Sequence, residues 1–143
     1  MMQAEEYLEK IPMWTREKHS LTDIRAFLHE MGDPDRKLSI IHVAGTNGKG
    51  SVCAFLTSLY RNAGFRTGTF ISPHLVTVRE RFLLNNEMVS PGKLQAAFET
   101  VLETVNTMKE KGYSHPSYFE FLFYMAMALF ADETPELVIL ETG

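Results

Sequence analysis

The stretch that most restricts this chain begins with an apolar run rich in β-branched residues, Leu-Ser-Ile-Ile-His-Val-Ala at 38–44, and passes without a gap into Gly-Thr-Asn-Gly-Lys-Gly-Ser at 45–51. A nearly continuous apolar run of this length reads as a strand buried on both faces of a parallel sheet, and His42 within it as a satisfied core histidine. After the glycines, Val52, Phe55, Leu56, Leu59, Tyr60 and Ala63 recur at helical spacing, and Gly64 supplies a stop. Strand, glycine-rich loop and amphipathic helix therefore follow one another directly. Such a loop lets backbone N–H groups turn inward around phosphate oxygens while the helix presents its positive end to them. Gly45, Gly48 and Lys49 stand where this requires them, the lysine bridging the terminal phosphates. The loop departs twice from the usual Gly-x-x-x-x-Gly-Lys-Ser/Thr pattern. Val43 stands where the first glycine would be, and Gly50 follows the lysine, with Ser51 one residue late. A glycine-rich turn can also be a plain tight connection; the lysine and its flanking elements, in the required order, favour phosphate.

The other segments alternate in kind. Residues 1–10 are polar and weakly helical, and Ile11-Pro12-Met13-Trp14 is an apolar patch without an assignable role. Ser20 and Asp23 have capping-box spacing ahead of a short helix whose apolar face is Leu21, Ile24, Leu28 and Met31, stopped by Gly32 and Pro34. A second strand is expected over 66–71, completing a βαβ unit, with Ser72-Pro73-His74-Leu75 at its carboxyl end. Residues 76–84 and 87–90 flank Asn85-Asn86 as a hairpin. Pro91 opens a long helix with Leu94, Ala97, Phe98, Val101, Leu102, Val105 and Met108 on its inner stripe, ending near Gly112. Residues 118–131 read as a buried helix, too short to span a bilayer, and 137–140 as a last buried strand before Glu141-Thr142-Gly143. The alternation gives a three-layer α/β domain.

Composition narrows the function. The 143 residues suffice for one core, and a net charge of −4 argues against nucleic acid or an anionic membrane as partner, so any anion site must be local. The single cysteine, Cys53, can form no internal disulfide and has no histidine partner suggested by the sequence. No signal-peptide pattern opens the sequence, and a cytoplasmic location is expected.

Taken on the residues alone, Ser72 reads as a turn residue before Pro73 and Glu141 as an ordinary strand-end carboxylate, both at strand ends where open α/β sheets hold ligands. Glu120 opens a helix that is otherwise wholly apolar; a carboxylate there must find partners, edge a site, or favour the helix dipole.

Ile-His-Val-Ala-Gly-Thr-Asn-Gly-Lys-Gly-Ser (41–51), Ser-Pro-His-Leu (72–75), Glu80-Arg81, Phe119-Glu120 and Val-Ile-Leu-Glu-Thr-Gly (138–143) resemble, in order and spacing, the folylpolyglutamate synthases of the Mur ligase superfamily, including the bifunctional dihydrofolate synthases. The likeness runs over nearly the whole chain from Leu21 onward. The Lys-Gly-Ser loop is similar to the folate branch, whereas cell-wall ligases usually carry threonine after the lysine.

The resemblance implies an incomplete P-loop NTPase-like fold with a mainly parallel sheet. Residues 1–143 would be the amino-terminal part of the ATP-binding domain, and the carboxyl-terminal glutamate-binding domain would be absent. It further implies ATP-dependent ligation of L-glutamate to a folate or dihydropteroate through an acyl phosphate, with Mg2+. Lys49 would be catalytic, and Thr46, Asn47, Gly48, Gly50 and Ser51 would shape the ATP cradle with it. Ser72 and Glu141 would hold Mg2+, and Ser117, Tyr118, Phe119 and Glu120 the pterin. His74 and Glu80-Arg81 resemble a segment beside the folate site, although a histidine after proline and an adjacent charge pair are more often structural or solvated. The full-length enzyme would be a monomer. The fragment would be inactive alone, and its open sheet edge would invite self-association. Another Mur-type amino-acid ligase and a non-catalytic nucleotide-binding module remain as alternatives.

Overall fold

The computed structural model describes residues 3–15, 17–44, 48–74 and 76–142, with the backbone alone at Met13, Trp14, Lys49, Gly50 and Thr142. In chain order the elements are α1 (Ala4–Trp14), α2 (Leu21–Glu30), β1 (Ile40–Ala44), α3 (Lys49–Asn62), β2 (Thr67–Phe70), β3 (Phe82–Leu84), β4 (Glu87–Met88), α4 (Pro91–Glu110), α5 (Tyr118–Glu133) and β5 (Leu137–Thr142). They fall into two compact units, Met1–Asp35 with Gly92–Leu129, and Arg36–Pro91 with Phe130–Gly143. No helix among the described residues is long and apolar enough to cross a membrane.

The first unit is helical. Ala4, Leu8 and Ile11 lie on one stripe of α1 and are buried, so burial makes a full helix of a segment that reads as weakly helical. The Tyr7 ring meets Phe98 edge-on at 5.3 Å and Phe121 at 5.5 Å. Helix α2 starts on the expected capping box: Asp23 N–H donates to Ser20 Oγ (3.1 Å) and Ser20 N–H to Asp23 Oδ2 (3.3 Å). Its inner face differs from the expected one. Phe27 and Leu28 are buried and Leu21 is 86% exposed, because the stripe centres on Ile24, Phe27, Leu28 and Met31 and leaves Leu21 to one side in the first turn. Phe27 stacks on Tyr124 with ring centroids 5.3 Å apart and planes 5° apart. Helix α4 buries the expected stripe except Leu102, which is half-buried; Thr104 joins the buried face and donates its hydroxyl to Thr100 O (3.2 Å).

The second unit is built on a five-stranded sheet in the order β1-β5-β2-β3-β4. Strands β1, β5 and β2 run parallel, with Val43 opposite Glu141 and Phe70 opposite Leu140. Strands β3 and β4 form the expected hairpin, and Asn85 and Asn86 at its tip both take left-handed φ (51° and 65°), which asparagine tolerates. Its first arm is shorter than expected, because Val78–Arg81 winds into one 3-10 turn.

Two expectations are corrected in this unit. The strands buried on both faces are β5, whose Val138 and Ile139 are fully covered, and β2, buried at all four residues; β1 lies at the edge of the described sheet, with Ile41 and Val43 half-buried. His42 is accordingly exposed and is no core histidine. Helix α3 is also turned from the expected orientation. Cys53 and Thr57 are buried, the Thr57 hydroxyl lies 3.2 Å from that of Thr69 on β2, and Val52, Phe55 and Leu59 are exposed. Small and hydroxylated side chains let the helix approach the sheet closely, leaving the larger apolar ones outside.

Candidate functional site

The loop after β1 is the first part of the site. Gly45, Thr46 and Asn47 lie outside the described residues, as does the side chain of Lys49. Gly48 is described and forms the N-cap of α3 at φ +78°, a left-handed conformation that favours glycine. A Cβ there would meet nothing within 4 Å, so conformation and not space selects the residue. Lys49 opens the helix, and Ser51 is exposed in its first turn. The first helical N–H groups have no partner within the helix, which leaves them available to an anion.

Two more candidates come to the same end of the sheet. Glu141 is buried (3% exposed) on β5, opposite Val43 on β1, one strand away from the start of the loop. Ser72 lies two residues past Phe70, which is opposite Leu140. The loop and Ser72 follow the carboxyl ends of β1 and β2, and Glu141 lies in the last two residues of β5 between them, the end of the sheet where ligands sit in open α/β folds. A hydroxyl and a carboxylate are hard donors that suit Mg2+, an ion that takes few protein groups and keeps several waters. Among the described residues, no group of three or more His, Cys, Asp or Glu could hold a metal ion.

Residues 71–81 carry an organisation that the sequence did not disclose. Ile71 N–H donates to Arg81 O (2.9 Å), tying the two ends of the loop. Glu80 Oε1 accepts from the N–H groups of Val76 (2.9 Å) and Thr77 (3.0 Å), and Arg81 Nε donates to His74 Nδ1 (2.8 Å). Arg81 is buried. Of the two expectations for this charge pair, structural or solvated, the structural one holds, and the sequence signal for it is the Thr77-x-x-Glu80 capping spacing.

Ser117, Tyr118, Phe119 and Glu120 belong to the helical unit. Glu120 is buried and fully engaged: Oε1 accepts from Ser117 N–H (2.9 Å), Oε2 accepts from His19 N–H (2.9 Å), and Glu120 N–H donates to Ser117 Oγ (3.3 Å). The carboxylate finds its partners by capping its own helix and holding the segment before α2. His19, unremarkable in sequence, completes this cluster. Because a carbonyl can only accept, its Nε2–H donates to Ser114 O (2.8 Å), while its Nδ1 lies 3.2 Å from Tyr124 OH and 3.7 Å from Glu120 Oε1. Burial, with Glu120 beside it, pushes the Tyr124 phenol well above its ordinary range and keeps it a donor. Tyr118 is half-buried and Phe119 is 38% exposed.

No family model matches the sequence. A folylpolyglutamate synthase of Arabidopsis thaliana is 45% identical over 107 residues, 75% of this chain and 19% of that protein. The dihydrofolate synthase/folylpolyglutamate synthase of Bacillus subtilis is 35% identical over 127 residues, 88% of this chain and 30% of that one. In fold, the chain matches Mycobacterium tuberculosis folylpolyglutamate synthase complexed with ADP at a TM-score of 0.87 and 33% identity, over 97% of this chain and 31% of that one. It spans about a fifth to a third of the length of these proteins. With at least three-quarters of the chain aligned in sequence and nearly all of it in fold, the chain belongs to the folylpolyglutamate synthase family and has its Mur-ligase-type α/β fold.

Proposed function

We propose that these residues form the nucleotide- and folate-binding part of an ATP-dependent ligase that joins L-glutamate to a folate or to dihydropteroate. The observation that carries the reading is the convergence of the Gly48-capped start of α3, Ser72 and Glu141 at the carboxyl ends of β1, β2 and β5. The ADP held by the Mycobacterium tuberculosis relative and the names of the others support nucleotide and folate as the ligands.

A carboxylate is a poor acyl donor until one of its oxygens becomes a phosphate leaving group. In the proposed reaction a substrate carboxylate oxygen attacks the γ-phosphorus of ATP and ADP leaves. The α-amine of glutamate then attacks the acyl carbon, inorganic phosphate departs, and the nitrogen loses a proton as the amide forms. This chain's part is to hold the phosphates: the N–H groups opening α3 and the Lys49 ammonium supply positive charge. Ser72 and Glu141 would hold Mg2+, which adds charge neutralisation on the phosphate oxygens when bound. Tyr118 and Phe119 are assigned to the pterin ring, with Glu120 fixing the backbone of the segment that carries them. Glutamate binding is assigned to a domain outside these residues, so the chain alone is expected not to incorporate glutamate.

Calorimetric titration with ADP and Mg2+ tests the nucleotide site. Wild-type chain should bind, and Lys49→Ala should bind at least about tenfold more weakly with unchanged circular dichroism, as expected for losing a charge-assisted contact of roughly 1.5–3 kcal/mol. Equal affinity in the two proteins would remove Lys49 from the site. Folate- and ATP-dependent glutamate incorporation by the isolated chain would overturn the division of labour.

A further inference from the structure

The described residues of the 71–81 loop, all but Leu75, form a strap fastened from one side. Its ends meet at the Ile71–Arg81 hydrogen bond, and Ser72 is the first residue inside the closure. The carboxylate of Glu80 gathers two consecutive backbone N–H groups, those of Val76 and Thr77, onto one oxygen. Thr77 returns the cap, its Oγ1 accepting from Arg79 N–H (3.4 Å) and its carbonyl from Glu80 N–H (3.0 Å). Arg81 reaches back across the loop to His74, and Arg79 Nε donates to Val89 O (3.0 Å) beyond the hairpin. The side chains at 79, 80 and 81 thus reach, in turn, Val89 beyond the hairpin, the N–H groups of Val76 and Thr77, and His74.

We propose that Glu80 and Arg81 are positioning residues for Ser72: by closing this loop they hold its hydroxyl in place for the metal, and so set how much Mg2+ the nucleotide site requires. This rests on the reading of Ser72 as a Mg2+ ligand. A hydroxyl is a weak, neutral donor that binds well only when its backbone is already in position, and groups that orient metal ligands typically affect affinity by about 10- to 100-fold. An anionic carboxylate bonded to two N–H groups is a strong clamp. Glutamine keeps an oxygen that can accept from the same groups, whereas alanine keeps none.

The test is calorimetric titration of the chain with ADP, first without metal and then over graded Mg2+. For Glu80→Ala the half-saturating Mg2+ should rise by about tenfold while metal-free ADP affinity stays unchanged. Glu80→Gln should restore most of the loss. Leu83→Ala, which weakens the neighbouring strand β3 without touching the strap, should keep the wild-type Mg2+ dependence. Unchanged Mg2+ dependence in Glu80→Ala overturns the proposal, as does an equal shift in Leu83→Ala, since that would mark a purely structural effect. If Glu80→Ala does not fold, Arg81→Lys decides: it keeps the charge but loses the Nε–H that meets His74, and it should raise the Mg2+ requirement. Wild-type ADP binding that ignores Mg2+ would instead sink the Ser72 assignment itself, and the proposal with it.

Discussion

At His115 a single ring couples proton binding to the attachment of α1. Pro116 O can only accept, so His115 Nδ1 carries the hydrogen and donates to it (2.7 Å), and Nε2 accepts from Tyr7 OH (2.6 Å). The neutral ring is thus satisfied at both nitrogens, and it stacks on Phe121. Burial lowers the His115 pKa below its ordinary value, more than the bond to Pro116 raises it, and Lys109 and His19 add to the lowering. The folded state therefore binds a proton less readily than the unfolded chain. The stabilisation is complete above the unfolded histidine value of about 6.5 and is lost as pH falls through the lower folded value. His115→Gln should therefore flatten the decline in stability between about pH 7 and pH 5, a window set by that ordinary value. Urea unfolding across that range checks it; parallel pH profiles for the two proteins would show that His115 does not carry the effect.

Among the elements, β2 and the end of α5 fit closely. Gly68 lies beneath Phe130, and a Cβ at that position would come within 2.7 Å of two ring carbons and 3.2 Å of Pro135. Phe130 is fully buried, so its ring cannot swing aside. Gly68→Ala should cost about 1–3 kcal/mol, read as a lower urea midpoint with unchanged slope. No loss would mean that α5 shifts freely over the strand. This contact has no sequence signature, because a glycine in a strand looks the same whether or not a ring covers it. Elements with an internal signal were legible: the Ser20 cap, the α4 stripe, the α5 apolar run and the Asn85-Asn86 turn. Strand β1 and helix α3 were misread in burial for one reason. Periodicity reports that an element is apolar, whereas its neighbours decide which face is covered, and those neighbours depend on sheet order. The site followed the same rule. Gly48 and the strand-end positions of Ser72 and Glu141 were legible from contiguous motifs. The Glu80–Arg81 strap depends on a loop folding back on itself, and the His19–Glu120–Tyr124 cluster joins residues about a hundred positions apart.

For the whole molecule, the feature with the largest consequence is the apolar surface left on the sheet unit. Among the described residues β1 pairs with β5 alone, and Val52, Phe55 and Leu59 of α3 are 46%, 66% and 51% exposed at i, i+3 and i+7. Covering such side chains is worth up to about 1.5–3 kcal/mol each, and an open strand edge offers unpaired N–H and C=O groups as a template. The relatives are roughly three to four times as long as this chain, so their folds have ample chain to cover a surface of this kind. With these 143 residues alone, the covering group at hand is a second copy. Light scattering on a sizing column should therefore show mass rising with concentration. Combined Val52→Ser, Phe55→Glu and Leu59→Gln should move that rise to at least about tenfold higher concentration, the equivalent of 1.4 kcal/mol, while leaving the helical signal intact. A monomer at every concentration would show that neither the α3 stripe nor the β1 edge drives association. Concentration dependence that survives the triple change would assign it to the strand edge, where Ile40→Pro, at a position whose N–H points away from β5 in this register, becomes the deciding variant.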